Sequence, residues 1–349
     1  MDNTMTLYWI IFLVTFLTVF FIDLYVTDHR KGEINVKTAL KWTATWISIS
    51  LLFGASLFFF FPQNPDAPEN TITAHVMGVK FIAGYLTEYS LSVDNLFVFI
   101  MIFSMMGVAS HNQPKLLKLG IVISIILRVL FILVGMELVE RFHWIIYLFG
   151  IILIWTAYKM AFQNSEDNVD PTKNFLYKAA SKIYPVDPDT HSTKFFTKHN
   201  GKRFITTNLL VLLVIGSTDV LFAVDSIPAI IGVIKEGASN VLTPDEEKFL
   251  AITSNVFAVM GLISLYFALK GIMGMFRFLK HGVSFILFFI GAKMLLTANK
   301  AVENFFASHS WISLTVIIGT LVISILLSMV IAEKKEIEEL KEKMEDGRQ

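Results

Sequence analysis

Two apolar stretches of the chain carry the same pattern of acidic and polar residues. In each, an acid is followed six residues later by a second acid and then by a polar residue: Glu88, Asp94 and Asn95 in the first stretch, and Asp219, Asp225 and Ser226 in the second. A carboxylate at the centre of a membrane helix costs about 2.5 to 3.5 kcal/mol on insertion scales. Four such groups in segments that otherwise suit lipid therefore predict a functional site.

The polar side chains near these acids are hard oxygen donors, which suit magnesium, calcium or manganese better than copper or zinc. Their net negative charge argues against an anionic substrate, because an anion site would use Arg, Lys or helix N-termini. Buried carboxylates can also carry protons, so coupled metal and proton exchange is chemically available. The predicted metal-binding residues are Glu88, Asp94, Asn95, Asp219, Asp225, Ser226 and Asn255, with Ser217 and Thr218 as further oxygen donors.

The composition places these segments in a membrane. Hydrophobic residues make up 54% of the chain, charged residues only 17%, and the 32 Phe residues are far above the usual share. Apolar runs near the 20 residues that a membrane helix needs predict an all-α polytopic membrane protein of about nine spans. They cover roughly 7–26, 42–61, 76–106, 119–138, 144–162, 205–234, 249–269, 282–298 and 311–332.

The basic residues predict the orientation of these spans. Most of the 29 Lys and Arg residues lie in alternate connecting segments, at 27–41, 107–118, 163–203, 270–281 and 333–349. Since cytoplasmic loops retain basic residues, we expect the N-terminus outside and the C-terminus in the cytoplasm. The first span lacks a preceding basic region and a small-residue cleavage site, so we expect it to be retained.

The two acidic segments belong to a longer internal repeat. They are offset by 131 residues, and Lys159-Met160 near the end of the fifth span matches Lys293-Met294 near the end of the eighth at an offset of 134. The unit is three spans, so the second copy would enter the membrane from the opposite side, as in many transporters. The predicted division is 1–71 (two peripheral spans), 72–163 (first repeat), 164–203 (cytoplasmic linker), 204–298 (second, inverted repeat) and 299–349 (last span and charged tail).

Six residues along a straight helix do not bring two acids to one point. Gly84, Gly216 and Pro228 lie close to the acids and predict that both spans are interrupted, which would free backbone carbonyls for a cation. The alternative is that the two acids of each segment form successive stations along a path.

Three cations within or at the ends of spans are candidates for gating or for charge pairing: Arg128, Lys159 and Lys293. The two lysines lie near span ends, so we expect their ammonium groups to extend to the membrane interface. Arg128 lies well inside its span, where it needs an acidic partner such as Glu88, Asp94 or Glu137, or serves as a gate. Structural pairing with these cations is the alternative role for the acids.

The linker, the tail and the absence of several motifs limit the functions that are possible. The linker predicts one short amphipathic helix around Asn174 to Ile183, and the tail continues the last span as a charged helix. There is no Cys, which excludes disulfides and thiolate ligands. No hydrolase, phosphate-loop or zinc-protease motif is present, so we expect a protein that is not an enzyme and has no permanently bound cofactor.

The motifs Glu88-Tyr-Ser-Leu-Ser-Val-Asp94-Asn95 and Ser217-Thr-Asp219-Val-Leu-Phe-Ala-Val-Asp225-Ser226-Ile-Pro228-Ala resemble the TerC/Alx family of bacterial integral membrane proteins, over about residues 72–332. The resemblance implies a manganese(II) exporter of the cytoplasmic membrane, within the LysE-like transporter superfamily. It also implies that Asp94, Asp219 and Asp225, with Glu88 and Asn95, line the metal path. The family name records tellurium resistance, but tellurite is an anion and the motifs are acidic, so we interpret that association as indirect.

The leading hypothesis is a secondary exporter of manganese(II), driven by proton antiport or by the membrane potential. One alternative is a calcium/proton exchanger with the same architecture, and another is a membrane scaffold for stress resistance, including resistance to tellurite. The expected partners are a divalent metal ion and the lipid bilayer, without nucleic acid. The sequence sets no oligomeric state.

Overall fold

The computed structural model of the protein describes most of the chain. The described residues are 3–25, 36–65, 67–68, 71–162, 174–187, 193–199, 202–235, 241–271, 278–296, 298–309 and 311–330. The charged tail, predicted to be helical, lies outside them. Asp23 lies near the end of the first span. Its backbone belongs to a described helix, but its side chain is outside the described part of the chain.

The structure is built almost entirely from helices. The first part contains α1 (Asn3–Tyr25), α2 (Val36–Phe60), α3 (Thr73–Met105), α4 (Gln113–Arg141) and α5 (Ile145–Phe162). The second part contains α6 (Phe175–Ile183), β1 (Phe196–His199), β2 (Lys202–Ile205), α7 (Thr207–Lys235), α8 (Pro244–Val259), α9 (Leu262–Gly271), α10 (Leu279–Leu296), α11 (Lys300–Ser308) and α12 (Trp311–Val330). The long helices carry mostly apolar side chains. Their backbone hydrogen bonds are satisfied within each helix, as they must be where water is absent.

Seven helices among the described residues are long and apolar enough to cross a membrane, and the count is eight if α8 and α9 form one bent span. This confirms a polytopic helical membrane protein. The apolar part of α12, Ile312–Ser328, is shorter than these spans. The count of nine therefore stays a prediction.

The helix break does not occur in either of the acidic spans, where it was predicted. α3 and α7 run without a break through Gly84, Gly216 and Pro228, so the prediction of interrupted acidic spans is wrong. α3 is largely buried, and in an apolar environment unpaired backbone groups are costly, so a continuous helix that satisfies them is favoured in both spans. Pro228 is tolerated although it removes one helical hydrogen bond.

The break lies between α8 and α9, which meet at an angle of 41°. Gly261 has a φ of +79°, a left-handed conformation that favours glycine. A Cβ at this position would also lie 2.4 Å from the Trp46 ring. The turn therefore depends on glycine both for its backbone conformation and for the close packing of α2.

Four elements form the centre of the bundle: α3 packs on α7 and α8, and α4 packs on α7 and α8. Around this centre, α5 packs extensively on α10, α2 lies against α3 and α9, and α12 lies against α10 and α3. The buried apolar side chains continue through all of these contacts. The described acids of these segments, Glu88 on α3 and Asp219 on α7, thus lie in the interior of the protein.

Polar contacts also join parts of the chain that are distant in sequence. Asn64 Nδ2 donates to the Val241 carbonyl at 3.1 Å, between two connecting segments. The Tyr266 hydroxyl, on α9, donates to Oε1 of Gln113, the first residue of α4, at 3.0 Å.

The predicted linker helix is confirmed as α6. Asn174 caps it, because its Oδ1 accepts from the backbone N–H of Leu176 at 2.9 Å and of Tyr177 at 3.4 Å. The antiparallel hairpin of β1 and β2, which pairs Phe196 with Ile205, was not predicted.

Candidate functional site

A buried ion-pair cluster lies where α3, α4 and α7 meet. The guanidinium of Arg128, on α4, contacts Oε1 of Glu88 on α3 through Nη1. Its Nη2 lies 3.6 Å from Oδ1 of Asp219 on α7. All three side chains are almost completely buried. The first acids of the two repeated segments are thus brought together by one cation.

Three further side chains hold this cluster in place. Arg128 Nε donates to Ser124 Oγ at 3.1 Å, one turn earlier on α4. Ser92 donates to Glu88 Oε1 at 3.3 Å. In the amide orientation that satisfies both of its groups, Asn95 accepts from Arg128 Nη2 at 3.1 Å and donates to the Leu91 carbonyl at 3.2 Å. The guanidinium therefore has a defined position.

Each carboxylate of the cluster keeps one oxygen without a partner. Glu88 Oε2 and Asp219 Oδ2 are buried and accept no hydrogen bond from the described residues. Buried polar atoms are normally paired, because an unpaired one costs about 1 to 3 kcal/mol. Two unpartnered carboxylate oxygens beside one guanidinium are suited to bind a proton, a water molecule or a metal cation.

Buried polar atoms without partners also occur on α8 and further along α7. Ser254 Oγ, both polar atoms of the Asn255 amide and Ser226 Oγ are buried and unpartnered within the described part of the chain. A Cβ on Gly84, one turn before Glu88 on α3, would lie 2.8 Å from Ser254 Oγ. The absence of a side chain at Gly84 thus lets α8 bring Ser254 Oγ close to α3.

The direction of the two acidic helices follows from a second contact. Lys80 lies about two turns before Glu88 on α3, and Val233 lies about four turns after Asp219 on α7. Lys80 Nζ donates to the Val233 carbonyl at 2.7 Å. The contact joins a residue that precedes the acid on α3 to a residue that follows the acid on α7. The two helices are therefore antiparallel.

Asp94 and Asp225 lie on these helices six residues beyond Glu88 and Asp219, respectively. Their side chains are outside the part of the chain that the structure describes. Six helical residues rise by about 9 Å. Since the helices are antiparallel, the Cα atoms of Asp94 and Asp225 are displaced from the cluster in opposite directions. The arrangement does not bring all four acids to one level.

The two intramembrane lysines differ from each other. Lys159 is exposed on α5, at the end of a span. Lys293 is only 4% exposed, where its ammonium contacts Ser313 Oγ and lies 4.4 Å from the Phe306 ring centroid. The expectation that Lys293 extends to the membrane interface is therefore wrong, because α11 and α12 cover it.

Sequence reasoning missed some of the contacts. Ser92 and Ser124 each lie one turn from a charged residue that they contact, and that spacing was the available signal. Asn174, the cap of α6, donates through Nδ2 to Ser217 at 2.7 Å. No pattern in the sequence indicates this contact between the linker and the acidic segment of α7.

Within the described side chains, no group of three or more His, Cys, Asp and Glu residues has the spacing of a metal site. The described acids of the cluster number two, Glu88 and Asp219, and Arg128 lies between them. A metal bound here would therefore combine carboxylate oxygens with hydroxyl and amide oxygens, the donor set of hard divalent cations.

Comparison with known proteins agrees with this membrane architecture. Residues 73–336 match the family described as "Integral membrane protein TerC family". A Myxococcus xanthus protein named "Uncharacterized membrane protein STKORF319" is 37% identical over 323 residues, covering 92% of each chain.

Two similar relatives share the name "Putative membrane-bound redox modulator Alx". The Photorhabdus laumondii protein is 36% identical over 291 residues, covering 83% of this chain and 86% of its own. The Escherichia coli K12 protein is 34% identical over 308 residues, covering 88% of this chain and 89% of its own. No solved structure matches. The family match includes both acidic helices and Arg128, and the chain belongs to the TerC family of integral membrane proteins.

Proposed function

We propose that the protein is a secondary transporter that exports manganese(II) from the cytoplasm. The observation that carries this proposal is the meeting of Glu88 and Asp219 at Arg128, deep between antiparallel helices, where one oxygen of each carboxylate has no partner among the described residues. Ionisable groups inside a membrane bundle are costly and typically mark an ion path. A purely structural pair would need one acid for one cation.

The chemistry of the donors supports a hard divalent cation. The unpartnered oxygens belong to carboxylate, hydroxyl and amide groups, which bind magnesium, calcium and manganese in preference to softer metals. The choice of manganese comes from the family resemblance of the acidic motifs. A calcium/proton exchanger with the same architecture is the nearest alternative.

The antiparallel helices support a path rather than a single point. The Cα atoms of Asp94 and Asp225 lie about 9 Å along their helices from Glu88 and Asp219, in opposite directions. In this proposal the cation passes from one outer acid, through the central pair, to the other outer acid. This is the arrangement of successive stations that the six-residue spacing allows.

Packing supports the proposal of inverted repeats. Under the sequence offsets, α3 corresponds to α7, α4 to α8 and α5 to α10. The packing of α3 on α8 then has its counterpart in the packing of α7 on α4. Two contacts between α5 and α10 also correspond. At the offset of 134 residues, Gly150 matches Ser284 and Ala157 matches Gly291. The contact between Gly150 and Gly291 therefore has its counterpart in the contact between Ser284 and Ala157.

We further propose that the protein lies in the bacterial cytoplasmic membrane, with its N-terminus outside. The distribution of Lys and Arg supports this orientation. Outward movement of a cation against an inside-negative potential costs about 2.3 kcal/mol per charge per 100 mV, so export needs coupling. Inward movement of protons through the same carboxylates would supply it.

Other functions are less well supported. A membrane scaffold would use the linker and tail, but it gives no reason for the buried cluster. The relatives' name refers to redox modulation. With no Cys in the sequence, thiol–disulfide exchange is unavailable, so we interpret a redox effect as a consequence of altered metal content. We also propose that the protein is not an enzyme.

Transport into everted membrane vesicles tests the proposal directly. Vesicles with a manganese-sensitive dye inside should accumulate Mn²⁺ when a pH gradient is imposed, and Asp219→Asn should abolish the uptake. Glu137→Gln is the matched control, because Glu137 is exposed and pairs with Arg141 on the same helix. Uptake of calcium without any uptake of manganese would overturn the choice of metal.

Deletion of residues 164–200 separates the transporter from the scaffold. A scaffold should lose its function on this deletion and keep it in Asp94→Asn and Asp225→Asn. A transporter should lose transport in both acid variants while the folded protein remains in the membrane. Retention of metal export in both would contradict the proposed path.

A further inference from the structure

The contacts of Arg128 divide unevenly between the two halves of the protein. Within the first half, its guanidinium group contacts Ser124 on its own helix, and Glu88 and Asn95 on α3. Its ion pair with the second half is the one to Asp219, at 3.6 Å. The guanidinium is therefore anchored in the first half and reaches across to the second.

A divalent cation at the central acids would conflict with this position. Arginine stays protonated in proteins, so it cannot avoid repulsion by losing its charge. Two positive groups at one buried site repel strongly, because the surroundings screen charge poorly. The guanidinium must therefore yield at least one carboxylate when the cation binds, and Asp219 is its ion-pair partner in the second half, whereas Glu88, Asn95 and Ser124 hold it in the first.

We infer that Arg128 is a tethered counter-cation for the transport site. It bridges Glu88 and Asp219 when no cargo is bound, and it releases Asp219 to the cargo while Glu88, Asn95 and Ser124 retain it. This role rests on the proposed transport function. With both acids ionised, the formal charge of Glu88, Asp219 and Arg128 together is −1 when the site is empty and +1 with a divalent cargo, one charge from neutrality in each state.

The role has a specific consequence for the transport cycle. Net export requires the cargo-free protein to return across its cycle, and any buried acid that carries no returning proton in that step needs a compensating charge. Exchange of cargo for cargo uses the loaded protein in both directions, so it does not need the empty state. Loss of the guanidinium should therefore impair net export far more than exchange.

The test uses the full-length protein in liposomes loaded with Mn²⁺. Net efflux is measured into metal-free buffer, and exchange is measured with radioactive Mn²⁺ at equal concentrations on both sides. For Arg128→Gln we expect net efflux to fall about tenfold or more, while exchange stays within about threefold of the wild type. Exchange is spared because the bound Mn²⁺ itself compensates the acids of the loaded site. Equal losses of both activities, or unchanged net efflux, would overturn this role.

Arg128→Lys keeps the inference testable if Arg128→Gln does not fold. Lysine retains the positive charge, but it lacks the planar fork that contacts two carboxylates at once. We expect the ratio of net efflux to exchange to fall below the wild-type ratio, but less than in Arg128→Gln. An unchanged ratio in Arg128→Lys would count against bridging. A wild-type protein with neither activity would overturn the transport function itself.

Discussion

The two halves of the protein supply different parts of the same site. In the first half, α4 is unbroken and carries Arg128, whose guanidinium is held by three side chains of that half. At the offset of the acidic segments, the corresponding residue of the second half is Val259, the last residue of α8 before the break. The second half contributes Asp219 and several buried polar groups without partners.

This difference indicates a division of roles between the two halves. The first half fixes a positive charge in the interior of the helical bundle, and among the described residues the second half presents most of the groups that remain available to a ligand. A symmetric pair of acids would repel each other if both were ionised and uncompensated. The asymmetry thus permits two equivalent acids to lie close together.

The largest expected effect comes from removing the acid of the first half. Glu88→Gln leaves the buried guanidinium without its ion-pair partner in the first half, so we expect a loss of about 3 kcal/mol or more in the free energy of unfolding. Asp219→Asn removes the contact from the second half and should cost clearly less, because the guanidinium keeps its first-half partners. Unfolding in detergent, followed by circular dichroism, gives both values. Equal losses would show that the two halves hold Arg128 equally.

A smaller effect is expected from glycines near the two acids. A Cβ on Gly84 meets Ser254 Oγ at 2.8 Å, whereas a Cβ on Gly216 has its nearest neighbour, in Ile123, at 3.7 Å. Gly84→Ala should therefore destabilise the protein by about 1 to 3 kcal/mol through overpacking. Gly216→Ala should be neutral or slightly stabilising, because alanine favours helix. Thermal unfolding of the two variants side by side tests this contrast.

The smallest expected effect on stability concerns Asn255 and Ser124, which correspond at the same offset. Ser124→Ala removes a hydrogen bond to Arg128 and should cost about 1 kcal/mol. Asn255→Leu replaces an unpartnered buried amide, so stability should be unchanged or slightly higher. Manganese transport should nevertheless fall in Asn255→Leu. Preserved transport in this variant would remove Asn255 from the path.

Much of the architecture could be predicted from hydrophobicity and local chemistry. The apolar runs locate the long helices, because a spanning helix needs a minimum length. Asn174 identifies the start of α6, because an Asn before a helix accepts its free N–H groups. The meeting of equivalent acids near the centre follows from the repeat and its expected inversion.

The details that depend on neighbouring helices could not be predicted. Pro228 and Gly84 indicate a break by themselves, but the two helices continue through them. The break occurs at Gly261, where close packing of Trp46 accompanies a left-handed turn. Burial of Lys293 likewise depends on α11 and α12, which the position of the lysine within its own span does not reveal.

The contact between α5 and α10 has a mechanical consequence. A Cβ on Gly150 would lie 3.0 Å from the Gly291 carbonyl oxygen, and a Cβ on Gly291 would lie 2.7 Å from the Gly150 carbonyl oxygen. Sliding of either helix would press larger side chains, such as those of Leu295 and Ile154, against the opposite backbone. Tilting about the contact point would not. We therefore expect α5 and α10 to tilt about the glycine pair rather than to slide past each other.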